Sequence, residues 1–328
     1  MRTRTFLHVV VLLLLAAGSV GCRSDKSEDK TFRVAIITWV GYAPIHLAQE
    51  KGFFEGIDVE LKKIEDTAAR RAALVSGQVH GSIDIVDSFT NAAAAGLPAK
   101  VVLKLDDSVG GDGVVVKNEI SSIQDLKGCT VAYPPGQPSH FFLLALLKEA
   151  GMSIDDIESR PMEADQAGAA FISRGVDAAV TWEPWLTKAS QLEHGKILTT
   201  SREKPGLIVD VFTVREDYLS ENSEVVEAFI RGWFRAVEYW KQNPQEANQI
   251  MARALGLSLE EFEQMITGVR YSDLEANHAF FTLGDDGSSA FRQLVEKAGE
   301  IWQGEGVIEK TVPSASVDGS AIVLGLEK

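Results

Sequence analysis

TFRVAIITWVGYAPIHLAQEKGFFEGIDVEL, residues 31–61, decides the fold class. Residues 31–38 are mostly β-branched, aromatic or apolar, the composition of a buried strand. Residues 43–54 change to helical spacing, and 57–61 return to a strand pattern. Two strands joined by about a dozen helical residues predict a βαβ unit with parallel strands. Outward from this unit the alternation continues, with helices at 67–76 and 88–95 and strands at 82–86 and 99–105. It restarts with strands at 113–117 and 129–133, a helix at 139–150, and strands at 177–181, 196–200 and 207–214. From Asp217 the chain reads as largely helical, with Phe229, Trp233, Val237 and Trp240 on one broad core-facing side.

Turn-prone crossings near 110–113 and 205–206 divide this α/β body. They predict one lobe from 31–112 with 213–328, and a second from 113–212. Open α/β sheets bind ligands beyond the carboxyl ends of their strands, so two facing lobes would hold a ligand in the cleft between them.

The chain has 328 residues, of which 45% are hydrophobic and 24% charged, a globular composition. The body of roughly 300 residues exceeds the size at which one core stops growing, which also favours two lobes. The net charge of −15 argues against a nucleic-acid partner, because no cationic excess is available to displace counterions. Two cysteines cannot build a disulfide framework or a four-cysteine zinc site. Cys129 reads as a small buried residue at a strand start.

MRTRTFLHVVVLLLLAAGSVGC, residues 1–22, has the layout of an export signal: a basic head at Arg2 and Arg4, an apolar run, then small residues. Cys22 after Gly18, Ser19 and Gly21 resembles the lipobox of bacterial lipoproteins, although Ser19 stands where that motif usually has Leu. The resemblance implies a signal over 1–21, lipidation of Cys22 and a polar tether over 22–30. An ordinary cleaved signal and an uncleaved anchor are the other readings. Cleavage leaves 30 basic against 47 acidic residues, a charge of −17. No apolar stretch of 18 residues follows, so the expected protein is anchored to a bacterial membrane surface on its outer side and does not cross it.

Catalytic signatures are missing. GxSxG, HExxH, Walker and GxGxxG patterns do not occur, and none of the six histidines stands at metal-ligand spacing from another His or Cys. No metal, no cofactor and no enzymatic activity are expected, although acids are numerous enough for a carboxylate pair to assemble in three dimensions.

Five blocks, in order, carry a family resemblance: TWVGYAPIHLAQEKGFFEGIDVEL (38–61), LVSGQVHGSIDIVDSFT (74–90), GGDGVVVKNEISSIQDLKGCTVAYPPGQPSHFFLLALLKEAG (110–151), FISRGVDAAVTWEPWLTKA (171–189) and GLIVDVFTVREDYL (206–219). They resemble the solute-binding lipoproteins of the nitrate, taurine and alkanesulfonate class of ABC importers. The resemblance implies a two-lobed type II periplasmic-binding fold that closes on a small solute. It also implies delivery, as a monomer, to a membrane permease powered by a separate ATPase.

Trp39, with Gly41 and Tyr42, follows the first strand at its carboxyl end and offers an aromatic wall; a plain core Trp is the other reading. Asp87 and Ser88 follow the third strand, where Asp87 either caps the next helix or meets the solute. Ser139 and His140 open a helix whose N-terminus favours an anion, and the family pattern puts ligand contact there; Ser139 also reads as a natural N-cap. Trp182 and Glu183 follow the strand DAAVT. Asp210 lies inside the apolar strand LIVDVFTV and needs a cationic or hydrogen-bonding partner, either the solute or a nearby Arg or Lys. These blocks contain acids at the solute-facing positions and no arginine there. A zwitterion such as taurine, or a guanidinium-like cation, suits them better than a bare anion. A pyrimidine or thiamin-precursor heterocycle is the alternative solute, and an enzyme on this scaffold the alternative function.

Overall fold

A computed structural model of the chain describes residues 31–326; the expected signal, the tether and Cys22 lie outside them. The opening unit forms as a βαβ crossover. Strand β1 (Thr31–Ile36) leads through helix α1 (Ala43–Glu50) to β2 (Asp58–Lys63), and the two strands pair in parallel over their full length. Pro44 sits in the first turn of α1, where its missing N–H costs nothing. Helix α2 (Thr67–Val75) begins on Asp66, whose side chain accepts from Ala69 N–H at 2.6 Å. Strand β3 (Gly81–Ile85), helix α3 (Val86–Ala94) and strand β4 (Ala99–Ser108) follow.

The chain then enters a second sheet with β5 (Asp112–Lys117), β6 (Thr130–Tyr133), helix α4 (Pro138–Glu149), β7 (Glu158–Pro161), α5 (Ala164–Ile172), β8 (Ala178–Trp182), α6 (Trp185–Ser190) and β9 (Gly195–Thr200). It returns with β10 (Val209–Arg215), followed by α7 (Glu216–Glu221), α8 (Ser223–Gln242), α9 (Pro244–Leu255), α10 (Leu259–Ile266), β11 (Val269–Tyr271), α11 (Leu274–Phe281), α12 (Ala290–Gly304) and α13 (Ala321–Leu324). The first sheet runs β11-β4-β10-β3-β1-β2 and the second β7-β6-β8-β5-β9. Asp112 therefore opens a strand of the second sheet, and all of β10 belongs to the first.

Within each sheet the strands nearest the helical crossovers are parallel: β2, β1 and β3 in one, β7, β6 and β8 in the other. Strand β10 runs antiparallel between β3 and β4. The apolar face of α8 buries Phe229, Ile230, Trp233 and Val237 against the first sheet, as its periodicity predicts. Helix α12 instead sends Ala298 and Trp302 into the core of the second sheet, beside Phe141 and Ile208. Trp302 is fully buried and its Nε1 donates to the Asp87 carbonyl at 2.9 Å, tying α12 to the start of α3.

Two sequence readings change. Cys129 is half-exposed, with its Sγ donating to the Asp125 carbonyl, because it precedes β6 and does not lie within it. The strand expected at 99–105 runs on to Ser108, because β10 and β11 both pair along its acidic end. Among the described residues, no helix is long and apolar enough to cross a membrane.

Candidate functional site

The carboxyl ends of β1, β2 and β3 and those of β6, β7 and β8 open on one cavity of about 520 Å³. Six of the nine expected solute-contact residues line it: Trp39, Tyr42, Ser88, Trp182, Glu183 and Asp210. Asp87, Ser139 and His140 do not.

Trp39 is buried to 7% exposure, and its Nε1 has no acceptor among the described residues, so it is a core residue and a wall residue at once. Position 41 admits only glycine: a Cβ there would overlap both the Trp39 indole nitrogen and the Asp106 carboxylate. Tyr42, also buried, donates its hydroxyl to Asp210 Oδ1. Burial, with Asp210 and Asp106 nearby, pushes that phenol well above its ordinary range, so it stays a donor.

Among the described residues Asp210 has no basic partner, contrary to the salt-bridge reading. Its cross-strand neighbour is another acid, Asp106 on β4. Burial dominates the environment of Asp210 and pushes it up to about 8. Asp112, paired across strands with Trp182, is likewise buried and pushed up to about 6. Glu183 is committed locally: its oxygens accept from Thr187 N–H at 3.0 Å and Thr187 Oγ1 at 2.7 Å, capping the short α6.

The capping readings of Asp87 and Ser139 do not hold. Helix α3 starts at Val86 with Ile85 at its N-cap, so Asp87 already lies in the first turn; its buried carboxylate has no side-chain partner among the described residues. Helix α4 starts at Pro138 with Gln137 at its N-cap, because proline takes the first helical position. Ser139 is thus one residue inside the helix, fully buried, with its Oγ unpartnered among the described residues. His140 is not a donor through Nδ1, which accepts from Gly136 N–H at 3.1 Å. It stacks on Tyr133 at 4.7 Å between ring centres, and burial lowers it to about 4, so it is neutral.

Several lining residues escaped the sequence reading, and three of them shape the cavity's charge and walls. Arg70 from α2 is buried to 4% exposure, its guanidinium donating to the Ile64 and Glu65 carbonyls and to Thr67 Oγ1. Trp185 packs its Cβ over Gly168 and adds a third indole to the wall. Gln137 presents the N-terminus of α4 and donates to Glu163 at 3.0 Å. The wall thus carries seven carboxylates, Asp112 and Asp210 deepest among them, against one guanidinium. Among the described residues, no group of three or more His, Cys, Asp or Glu side chains is placed to hold a metal ion. The arrangement suits a small polar molecule with a cationic nitrogen, aromatic faces beside it and one cationic side chain for an anionic group.

The family model "NMT1/THI5 like" matches residues 39–247. The chain is 27% identical over 270 residues to a putative aliphatic sulfonates-binding protein of Bacillus subtilis, covering 79% of this chain and 80% of that one. It is 28% identical over 259 residues to the taurine-binding periplasmic protein of Escherichia coli, covering 74% and 79%. Its structure is similar to that of the periplasmic aliphatic sulphonate binding protein SsuA from Escherichia coli, with a TM-score of 0.72 at 17% identity, over 88% of this chain and 92% of that one. The two-sheet α/β architecture is that of a type II periplasmic-binding protein.

Proposed function

The chain belongs to the NMT1/THI5-like family, and on that premise we propose that it is the extracytoplasmic solute-binding component of an ABC importer. It captures a small, polar, nitrogen-bearing solute, a taurine-like zwitterion or a guanidinium-like cation, by closing two lobes built on the two sheets. The observation that carries this reading is the excess of carboxyl groups over cations in the cavity wall, seven against one, with Asp112 and Asp210 buried.

In this reading Asp210 takes the cationic nitrogen, with Trp39 and Trp182 as stacking faces. The anionic end of a zwitterion turns to Arg70 and the N-terminus of α4. Asp87, Ser139 and His140 stand in the first turns of α3 and α4, do not line the cavity and make no solute contact in this reading. The filled protein, a monomer held to the membrane through lipidated Cys22, delivers its solute to a permease with its ATPase. It acts by binding and not by catalysis. Binding favours the closed form only through contacts that are better in that form.

Calorimetric titration with taurine, guanidinium, an alkanesulfonate and nitrate tests the solute class. Taurine or guanidinium should bind, and Asp210→Ala should abolish that binding while leaving the circular dichroism spectrum unchanged. Tight nitrate binding with no response to an amine or guanidinium overturns the reading. Trp185, a third indole beside Trp39 and Trp182, favours a second solute class, a planar heterocycle. Mass spectrometry of solute released from the purified protein separates the two.

A further inference from the structure

Asp106 was not among the expected site residues and does not line the cavity. It lies directly behind Asp210, as its cross-strand partner on β4. It is fully buried, and counted as a carboxylate it has no donor to either oxygen among the described residues. Asp210, 3% exposed, receives only the Tyr42 hydroxyl among the described residues.

The charged and titratable groups around the pair do not neutralise it. On β4 itself, Asp107 is spent on Lys104 at 2.8 Å and on Arg270 at 3.3 Å. From β5 comes Asp112, and from α3 comes Asp87, both acidic. Tyr42 gives its proton to Asp210, and Tyr271 on β11 gives its own to the Val40 carbonyl at 2.8 Å. Arg70 acts on Tyr42 but donates to backbone and Thr67.

We propose that Asp106 and Asp210 form a two-carboxyl subsite that holds one shared proton in the free protein and trades it for the cationic nitrogen of the solute. Asp106 is thereby a specificity-determining residue for cations. The inference rests on the solute-binding reading above and deepens it.

Two like charges buried side by side without a cation do not both ionise. One proton lets either carboxyl donate to the other, and Asp106 then gains the partner it lacks. Burial and the facing acids push Asp106 well above the carboxylate range, in keeping with this. When an ammonium or guanidinium enters, the carboxyl O–H bond breaks and its proton leaves to solvent. The solute N–H groups then donate to carboxylate oxygens. The pair carries one net negative charge with the proton, and the pair plus cation carries the same charge. Neither state buries an unpaired second charge. An anion or a neutral solute supplies nothing in exchange for the proton and is rejected. Where the free pair holds its proton, affinity for the cation rises about tenfold per pH unit.

Two measurements on the full mature protein test this with guanidinium and taurine as probes. Infrared difference spectra follow the carbonyl stretch of a protonated carboxyl at pH 7 in wild type, Asp106→Asn and Asp210→Asn. Calorimetry in buffers of different protonation enthalpy counts the protons released on binding. The expected result is a protonated-carboxyl band that saturation with a probe removes from the wild type and that Asp106→Asn shifts in frequency, because burial keeps Asp210 protonated while the carboxylate that accepts its proton is gone. Wild type should release about one proton per probe, and Asp106→Asn should bind each probe at least about tenfold more weakly, because a single carboxylate then faces the cation. Absence of a band that responds to the probe, no proton release by the wild type, or an unchanged band and affinity in Asp106→Asn overturns the exchange. Probe binding without the band removes only the exchange and leaves the solute reading standing. A band present in a protein that binds neither probe overturns the solute reading and the exchange with it.

Discussion

Replacing Asp112 by Asn should stabilise the protein above pH 6 and change little near pH 4. Asp112 is 5% exposed and paired across strands with Trp182. Burial is the main cause that pushes it up to about 6; a hydrogen bond from Ser108 lowers it and the Glu183 charge raises it. In the unfolded chain the same group titrates near 3.9. Between about pH 4 and 6 the folded protein therefore holds a proton that the unfolded chain has released, and stability falls as pH rises through that window. Below it both states are protonated, and above it both are ionised with the full penalty in place. Two pKa units correspond to about 3 kcal/mol. Asparagine keeps the shape and a hydrogen-bonding group but never ionises, so it escapes the penalty. Urea unfolding of wild type and Asp112→Asn at half-unit steps from pH 4 to 8 checks this. The stability difference should grow by about 3 kcal/mol between pH 4 and 6 and then level off, which near the melting point is a gain of about 5 °C. A difference that stays constant across the series refutes the burial argument.

Arg70→Gln should weaken taurine binding at least about tenfold while leaving guanidinium binding within about twofold, because only the zwitterion needs a cationic side chain; calorimetry with both probes reads the split. Trp302→Ala should cost about 3–5 kcal/mol in denaturant unfolding, since it empties a fully buried site and orphans the Asp87 carbonyl; Trp302→Phe should recover most of the packing but not the hydrogen bond. Gly41→Ala should both lower the melting temperature and abolish solute binding, because its methyl group displaces Trp39 and Asp106 together; an unchanged affinity would show that neither side chain needs its present position.

Several elements were legible in the sequence because a local pattern specifies them. The βαβ unit over 31–61 and the amphipathic α8 each carry a period that suits only one secondary structure, while the apolar α4 was legible from its length and the proline that opens it. Trp39, Trp182 and Asp210 were legible as cavity-lining residues for a related reason: strand ends and an acid inside an apolar strand stand out locally. Two short strands were not. The residues of β7 read ESRP and are all exposed, and β11 is three residues with an arginine at its centre. The first has no apolar period and the second is too short for its single alternation to stand out, so only the neighbouring strand makes each of them a strand.

The candidate site divides in the same way. Arg70 lies in the helical run AARRAAL, where an arginine reads as solvated; the packing of α2 against the cavity wall is what buries it. Asp106 follows an apparent strand end at Leu105, and its importance exists only through the antiparallel pairing that sets Asp210 beside it. The chain by itself determined its secondary elements, their alternation and the class of molecule they build, because periodicity and turn chemistry act between residues close in sequence. Tertiary structure alone decided which acids share a proton, which arginine reaches the cavity and which polar groups lie bare. Those are properties of distance and burial between residues about a hundred positions apart, and no local pattern encodes them.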